Sequence, residues 1–586
     1  MDSSEKTMKQ ECFVNTLSRL RESSKTAVVS ANFSDPYTMY MHVNRPVQEK
    51  FVSVLKNTYN TNHSELILLC GSVGDGKSHM LSYCKQTYPE MMESFYVHND
   101  STASLYIDKP ASYTLMKIMD AFTDKNIETS NSKVILAINL GTLSNFLEAD
   151  TKNNFLLLKE YIDRAGILDD KQEKQDDDRY FHCVNFADYH LYELSSKGIS
   201  SQYIKGIFSK IVQQKSDNIF YNKYCACCKE CISKSICPIK INYELLSNEA
   251  VQNGIIRSLI ESIVKNKLIV STRSLLNMIY EILVDERHFD RGSLEPRKEP
   301  QKLTSVAYCQ SLLPNTLFGK RYSSEVLDAM RVVDPMQIRN EKIDDFIVFF
   351  ENTEDIMQVI LNDLGEFDFV LNRVEKEDFS DPSMHMVKEA LLKLFVRMCW
   401  ITETRKDLLP DDEDYYEYMD ALYAWNTGDV SKLKKIYAIV EKGILSWNGH
   451  VEKNEMQLSF GNSKTPYHLV QTVKIKKVID NLPKENRDTL YSFKDELKLR
   501  YGYNTSEVAE IDVDYTLFSL LKRVLNGYVP SINDKRVNVK CMEFVNKISM
   551  GGSKQNELFI RDFSQKESKE YILEYDEAFG YTFEVS

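Results

Sequence analysis

The chain has no apolar run near the roughly 18 residues that a membrane-spanning helix needs. Its start, Met1-Asp2-Ser3-Ser4-Glu5-Lys6, lacks the basic-then-apolar order of a secretory signal. No membrane role is expected, and a cytoplasmic location is. There is no surplus of positive charge either: 73 Lys and Arg stand against 86 Asp and Glu, a formal net charge of −13. That argues against a general nucleic-acid coat, which needs clustered cations, but leaves room for a local basic groove. It also fits a subunit that meets a more basic partner. No internal repeat and no low-complexity segment is present. No Ser/His/Asp constellation, H-E-x-x-H pair or nuclease-type carboxylate cluster stands out, so the chain is not expected to be a nuclease in its own right.

What is present is ordinary globular composition, 43% hydrophobic and 27% charged over 586 residues. At roughly 100–200 residues per domain this predicts about three or four domains. In a cytosolic protein most of the 12 cysteines should be thiols or metal ligands. Residues 1–60 read as helical, interrupted at Pro36 and Pro46. Then strands and helices alternate. Apolar strands fall at 65–70, 95–99, 134–138 and 181–185. Helices fall at about 77–87, around Leu115, Ile118, Met119 and Phe122, and at about 155–165. Residues 169–179 read as a charged loop. This alternation predicts the α/β class with a parallel sheet.

The strand at 65–70 runs into Gly71-Ser72-Val73-Gly74-Asp75-Gly76-Lys77-Ser78, which matches G-x-x-x-x-G-K-[ST] in full. Glycines let the backbone curl so that successive N–H groups face phosphate oxygens. The helix that follows points its positive end at the same anion. Lys77 should reach the β- and γ-phosphates, and the Ser78 hydroxyl should ligate Mg²⁺. His79 belongs to the same stretch. ATP is therefore the expected ligand.

Hydrolysis needs more. A neighbouring strand usually ends in a carboxylate that holds Mg²⁺ and orients water. Here the third strand ends in Asn139-Leu140-Gly141. Asp100 and Asp188 are substitute candidates, each with strand-end polarity as the plainer reading. Asn139 and Asn185 could position a water, as sensor residues do in AAA+-type ATPases, or could simply cap helices. Arg273, in Ser271-Thr272-Arg273 at the start of an amphipathic helix, resembles a lid arginine that senses the γ-phosphate.

Five cysteines fall between 225 and 237. Cys225, Cys228, Cys231 and Cys237 supply four thiolates at loop-compatible spacing for a Zn²⁺ site, with Cys227 as the spare or in place of Cys225. The C-x2-C-x2-C run with Pro238 after the last cysteine also resembles part of an iron–sulfur pattern, which is the alternative. Cys12, Cys70, Cys84, Cys183, Cys309, Cys399 and Cys541 are scattered and read as packing residues. The run Asp411-Asp412-Glu413-Asp414 reads as an exposed loop. Alternation at 511–515, 557–562 and 571–575 suggests strands.

Several segments together resemble a known family. They are Arg21-Glu22-Ser23-Ser24-Lys25, the loop from Gly71 to His79, Ile138-Asn139-Leu140-Gly141 and Val184-Asn185-Phe186-Ala187-Asp188. They continue with Cys231-x5-Cys237-Pro238, Ser271-Thr272-Arg273-x-Leu275-Leu276-Asn277, Asp334-Pro335-Met336-Gln337-Ile338-Arg339 and Arg397-Met398-Cys399-Trp400. This ordered set, over most of residues 15–400, resembles the F subunit of DNA phosphorothioation-dependent restriction systems, the DptF or DndF family. The resemblance implies bacterial antiviral defence, with restriction of DNA that lacks the sulfur mark. It also implies G and H partner subunits, the latter carrying a helicase-like motor, and DNA contact through the complex. Self-association is left open.

The resulting plan is a helical segment at 1–50, a P-loop nucleotide-binding core with an AAA+-like parallel sheet at 51–215, and a cysteine-rich insertion at 216–245. A helical lid and connector at 246–330, a helical domain at 331–454 and a C-terminal α+β domain at 455–586 complete it. The expected activity is that of an ATPase subunit. The alternative is a scaffold that binds the nucleotide without hydrolysing it.

Overall fold

The computed structural model describes residues 12–29, 36–72, 74–99, 111–168, 177–288, 300–319, 324–353, 355–409, 412–449, 452, 454–458, 466–480, 482–483, 487–503, 507–550, 557–562 and 569–585. The chain divides into two compact units. One holds residues 1–193 and 199–411, the other residues 194–198 and 412–586.

The first unit is built on a four-stranded, all-parallel sheet of β1 (Glu65–Cys70), β2 (Tyr96–His98), β3 (Lys133–Ile138) and β4 (Phe181–Asn185). Their order across the sheet is β2-β3-β1-β4. Parallel strands covered on both faces read as continuous apolar runs, and β1 is buried at every residue. Successive side chains serve opposite faces. Leu66, Leu68 and Cys70 join Val134, Leu136 and Ile138 in one core, which includes Leu115, Phe122 and Tyr161. Ile67 and Leu69 join Ile135 and Ala137 in the other, with Phe51, Leu55 and Leu81. The helices that cover these faces include Pro46–Thr58, Lys77–Thr87, Ala111–Met119 and Leu156–Arg164.

The helical stretch is divided at Pro36 and Pro46, as expected. They open the helices Pro36–Tyr40 and Pro46–Thr58, because a first-turn residue needs no N–H partner. A helix absent from the sequence expectation, Leu140–Ala149, starts directly after β3, with Asn139 as its cap.

Beyond the sheet the first unit is helical. Glu249–Asn266 crosses His385–Thr402 so closely that a Cβ on Gly254 would stand 2.0 Å from the Ile401 carbonyl oxygen. Arg397 donates to both carboxylate oxygens of Asp334, at 3.0 and 2.6 Å, and to Asn315 at 2.8 Å. Asp334 is fully buried. Two of the segments behind the family resemblance are thus held together by one buried bidentate pair. The indole N–H of Trp400 donates to Ser258.

The second unit contains antiparallel sheets. Val508–Val513, Leu497–Gly502 and Lys476–Val478 form one. Gly580–Val585, Lys569–Asp576, Glu557–Asp562, Tyr467–Thr472 and Glu455–Gln457 form another. Helices Glu413–Thr427 and Val430–Leu445 belong to this unit. The acidic run expected as a loop instead starts a helix. Asp412 accepts from the Tyr415 N–H, and Glu413 and Asp414 occupy the first turn. Carboxylates are favoured there by the unpaired N–H groups and the helix dipole. Asp411 lies outside the described residues.

Candidate nucleotide-binding site

The strand register assembles this site. Cys70 at the end of β1 lies opposite Ile138 of β3 and Asn185 of β4. The Gly71 N–H donates to the Ile138 carbonyl at 3.3 Å. Residue 71, Asn139 and Asn185 therefore emerge side by side at the carboxyl edge of the sheet, where open α/β folds bind ligands.

Residues 71–76 make the turn between β1 and the Lys77–Thr87 helix. Gly74 and Gly76 have φ of 92° and 95°, a region that side chains with a Cβ rarely enter. Gly76 is the helix cap and has no side chain to fill the first-turn N–H groups, which leaves them for an anion. The turn also takes an anion from within. The Asp75 carboxylate accepts the Ser72 N–H at 2.5 Å. Burial pushes the Asp75 carboxyl up, opposed by that bond and by Lys77 and Arg45. Lys77 donates to the carbonyls of Gly71 and Ser72 at 2.9 and 2.6 Å, and its burial pulls its pKa down. The cradle thus has an electropositive lining with a carboxylate standing where a phosphate oxygen would fit. Val73 lies outside the described residues.

Ser78 donates to Asn99 at the end of β2, at 3.1 Å. Asn99 escaped the sequence reading, although it precedes the candidate Asp100, which lies outside the described residues. Asn139 accepts the Thr142 N–H at 2.7 Å, and Asn185 accepts the Ala187 N–H at 3.1 Å. Both amide oxygens act as caps. An amide keeps two N–H donors when its oxygen is used, so capping leaves each able to donate. Asp188 ends the short turn after β4. His79 is engaged by a second histidine. It meets His42 at 2.9 Å, and His42 stacks on Tyr83 at 3.6 Å. Burial, then the neighbouring His42, brings the His79 pKa down to about 4.

The Thr272–Leu283 helix approaches from about 200 residues away in sequence. A Cβ on Gly74 would stand 3.2 Å from Ser271, and one on Gly76 would stand 3.7 Å from the Thr272 hydroxyl. Ser271 caps this helix in a reciprocal capping box with Ser274. Two helix starts therefore converge on one Gly-rich turn. Arg273 sits in the first turn of the second, its Nε buried and without a hydrogen-bond partner among the described residues. A buried guanidinium nitrogen left unpaired costs free energy unless a ligand completes it.

Arg45 is a further residue that sequence reading missed, for no periodicity or motif marks it. It donates to the Asp75 carbonyl at 2.9 Å and lies over the rings of Phe186 and Tyr203. Tyr203 in turn bonds Thr272 at 3.0 Å. These contacts tie the turn, the end of β4 and the Thr272–Leu283 helix into one cluster. A cleft of about 600 Å³ opens elsewhere, at the amino ends of β2 and β3. Its lining, which includes Tyr96, Lys117, Ser132 and Lys133, shares no residue with the turn.

The cysteine-rich segment forms the end of the Ile219–Cys227 helix, a tight loop, and the cap of Pro238–Leu246. Cys231 donates its N–H to the Cys228 carbonyl at 3.4 Å, and Lys234 to the Cys231 carbonyl at 3.0 Å. Cys228 is buried, Cys225 and Cys237 are half-buried, and Cys231 is exposed. Among the described residues no three His, Cys, Asp or Glu side chains are already gathered at metal-holding geometry. Cys12 is exposed and is not core packing, whereas Cys70, Cys84, Cys309, Cys399 and Cys541 are buried.

Neither a protein-family model nor a curated protein matches the chain. Among the described residues no helix is long and apolar enough to cross a membrane.

Proposed function

We propose that the chain is a P-loop ATPase subunit with an AAA+-like core, acting in a phosphorothioation-dependent DNA restriction complex of bacterial antiviral defence. The observation that carries the nucleotide reading is the convergence of two helix starts on the turn at residues 71–78, with Arg273 in the first turn of the second helix and its buried Nε unpaired among the described residues. Lys77 would hold the β- and γ-phosphates and Ser78 the Mg²⁺, with Asn99 as its neighbour. Arg273 would offset charge at the γ-phosphate, and the amide N–H groups of Asn139 and Asn185 would orient water. ATP would supply the labile phosphoanhydride bond, and Mg²⁺ would offset charge on its β- and γ-phosphates. Nucleotide state would set the pose of the lid helices at 246–330 and the helical domain at 331–454. The α+β domain at 455–586 would serve contacts with the G and H subunits, and DNA would be met through the complex, in the cytoplasm. The cysteine segment would hold structural Zn²⁺. The restriction role rests on the ordered set of resembling segments, of which the buried Asp334–Arg397 pair joins two.

A second reading, a scaffold that binds ATP without turnover, draws on Asn139. The end of β3 carries a capping amide where a catalytic carboxylate usually stands.

ATP binding and hydrolysis by the purified chain, alone and with G and H subunits and DNA, separate the two. Lys77→Ala should abolish both binding and turnover. Arg273→Ala should leave binding within a few-fold and slow turnover by roughly 10²–10³, the usual loss for one transition-state donor. Tight binding with no turnover in any mixture favours the scaffold. Unchanged ATP binding and phage restriction in Lys77→Ala would defeat the proposal.

A further inference from the structure

The N-terminal helix Val14–Val29 packs on Thr272–Leu283 and on the cysteine-bearing helix Ile219–Cys227. Phe13, just ahead of it, is buried. Its ring meets Tyr224 at 6.1 Å and Tyr243 edge-on at 5.1 Å. Those tyrosines sit on Ile219–Cys227 and Pro238–Leu246, the two helices that flank the cysteine loop. The two tyrosine rings stack on each other at 4.8 Å, and Phe13, packed against that pair, brings the preceding residue, Cys12, beside the loop. The Cys12 carbonyl accepts the Asn15 N–H at 3.1 Å, which turns the chain there.

The four thiols of Cys12, Cys228, Cys231 and Cys237 stand close enough that each would repel every other as thiolate. Cys227 is near Cys12 and Cys228. Cys225 is engaged differently, sharing a hydrogen bond with the Tyr221 hydroxyl. Burial and mutual proximity favour the neutral thiols in the absence of a cation. A shared cation is the other way to hold them together, and four thiolates suit tetrahedral Zn²⁺ with Zn–S near 2.3 Å. Exposure of Cys12 and Cys231 leaves an entry path.

We propose that Cys12 completes a tetrathiolate zinc site with Cys228, Cys231 and Cys237, in place of Cys225, and so clips the N-terminal helix to the cysteine loop. The ion closes a loop of more than two hundred residues. Such closure removes freedom chiefly from the unfolded chain. This inference refines the zinc part of the proposed function and is independent of the nucleotide part.

Metal content of the full chain, purified anaerobically and measured by elemental analysis, tests it. Wild-type protein should carry about one zinc per chain. Cys12→Ala should lose most of it, Cys225→Ala should keep it, and Cys12→His, which restores a ligand, should regain it. Co²⁺ loading of the wild-type chain gives a second reading that needs no variant. Intense thiolate-to-metal absorption with tetrahedral visible bands is expected, and it should bleach when Cys12 is alkylated first. Zinc retained in Cys12→Ala but lost in Cys225→Ala would overturn the proposal. So would a wild-type chain that takes up no zinc, or one that carries iron–sulfur absorption instead.

Discussion

β1 in the first unit is buried at all six positions, while Val508–Val513 in the second alternates exposed and buried residues along its length. The contrast reflects what covers each sheet. Helices lie on both faces of the parallel sheet, and its side chains feed two separate cores. In the second unit Val508–Val513 keeps one side towards solvent, and Lys569–Asp576 and Gly580–Val585 have no fully buried residue, with Tyr575, Tyr581 and Phe583 exposed. Polar contacts follow the same division. The first unit buries a bidentate Arg397–Asp334 pair. The second carries Lys522 between Asp414 and Glu417 at its surface. A doubly covered sheet gives the Gly-rich turn a rigid platform at its carboxyl edge.

The largest expected effect lies in that buried pair. Arg397→Ala should cost about 3–5 kcal/mol, because Asp334 is left charged and buried. Lys522→Ala should cost no more than about 1 kcal/mol, as exposed pairs usually do. Chemical denaturation, with hydrogen exchange to assign each transition to a unit, reads the difference. Equal losses would break the comparison.

Acid should act next, through the first unit. His79 titrates near 6.5 in the unfolded chain and near 4 when folded. As pH falls the unfolded state binds the proton first. The His79 contribution is therefore fully present above about pH 6.5, declines between about 6.5 and 4, and levels off below. At about 1.4 kcal/mol per pH unit the span is on the order of 3 kcal/mol. Stability measured across this window should flatten in His79→Gln, and an unchanged slope would remove His79 as the cause.

Helix crossings sharpen the contrast further. Gly254→Ala drives a methyl into the Ile401 carbonyl, a backbone atom that cannot step aside, and should cost about 1–3 kcal/mol. Gly443→Ala in the second unit meets the Leu521 side chain at 2.9 Å. The Leu521 Cδ2 can rotate away, but its Cβ, at 3.0 Å, moves only with its helix. The roughly 0.5–1 kcal/mol by which alanine favours the helix offsets part of the clash, so the net loss should be smaller than for Gly254→Ala, about 1 kcal/mol or less. Thermal melts of both variants against wild type suffice. A stable Gly254→Ala would mean that the two helices slide apart at little cost.

Much of this was legible from residue order. The four apolar runs, the G-x-x-x-x-G-K-S turn and the helix at Lys77–Thr87 announce themselves, because burial on both faces and a tight glycine turn each demand a local pattern. The Leu140–Ala149 helix was not legible, since its signal is a capping amide that looks the same as a catalytic one. The acidic run at 412–414 misled for a related reason: charge marks helix starts as well as loops. What the sequence determined alone is therefore local, namely strand content, the loop's glycines and the clustering of cysteines. Only the tertiary structure decided which distant residues complete each site. It brought Arg45, Asn99 and the start of Thr272–Leu283 to the turn, and Cys12 to the cysteine loop. The reason is physical. Contacts across hundreds of residues arise from packing of whole helices, and no spacing along the chain encodes where those helices meet.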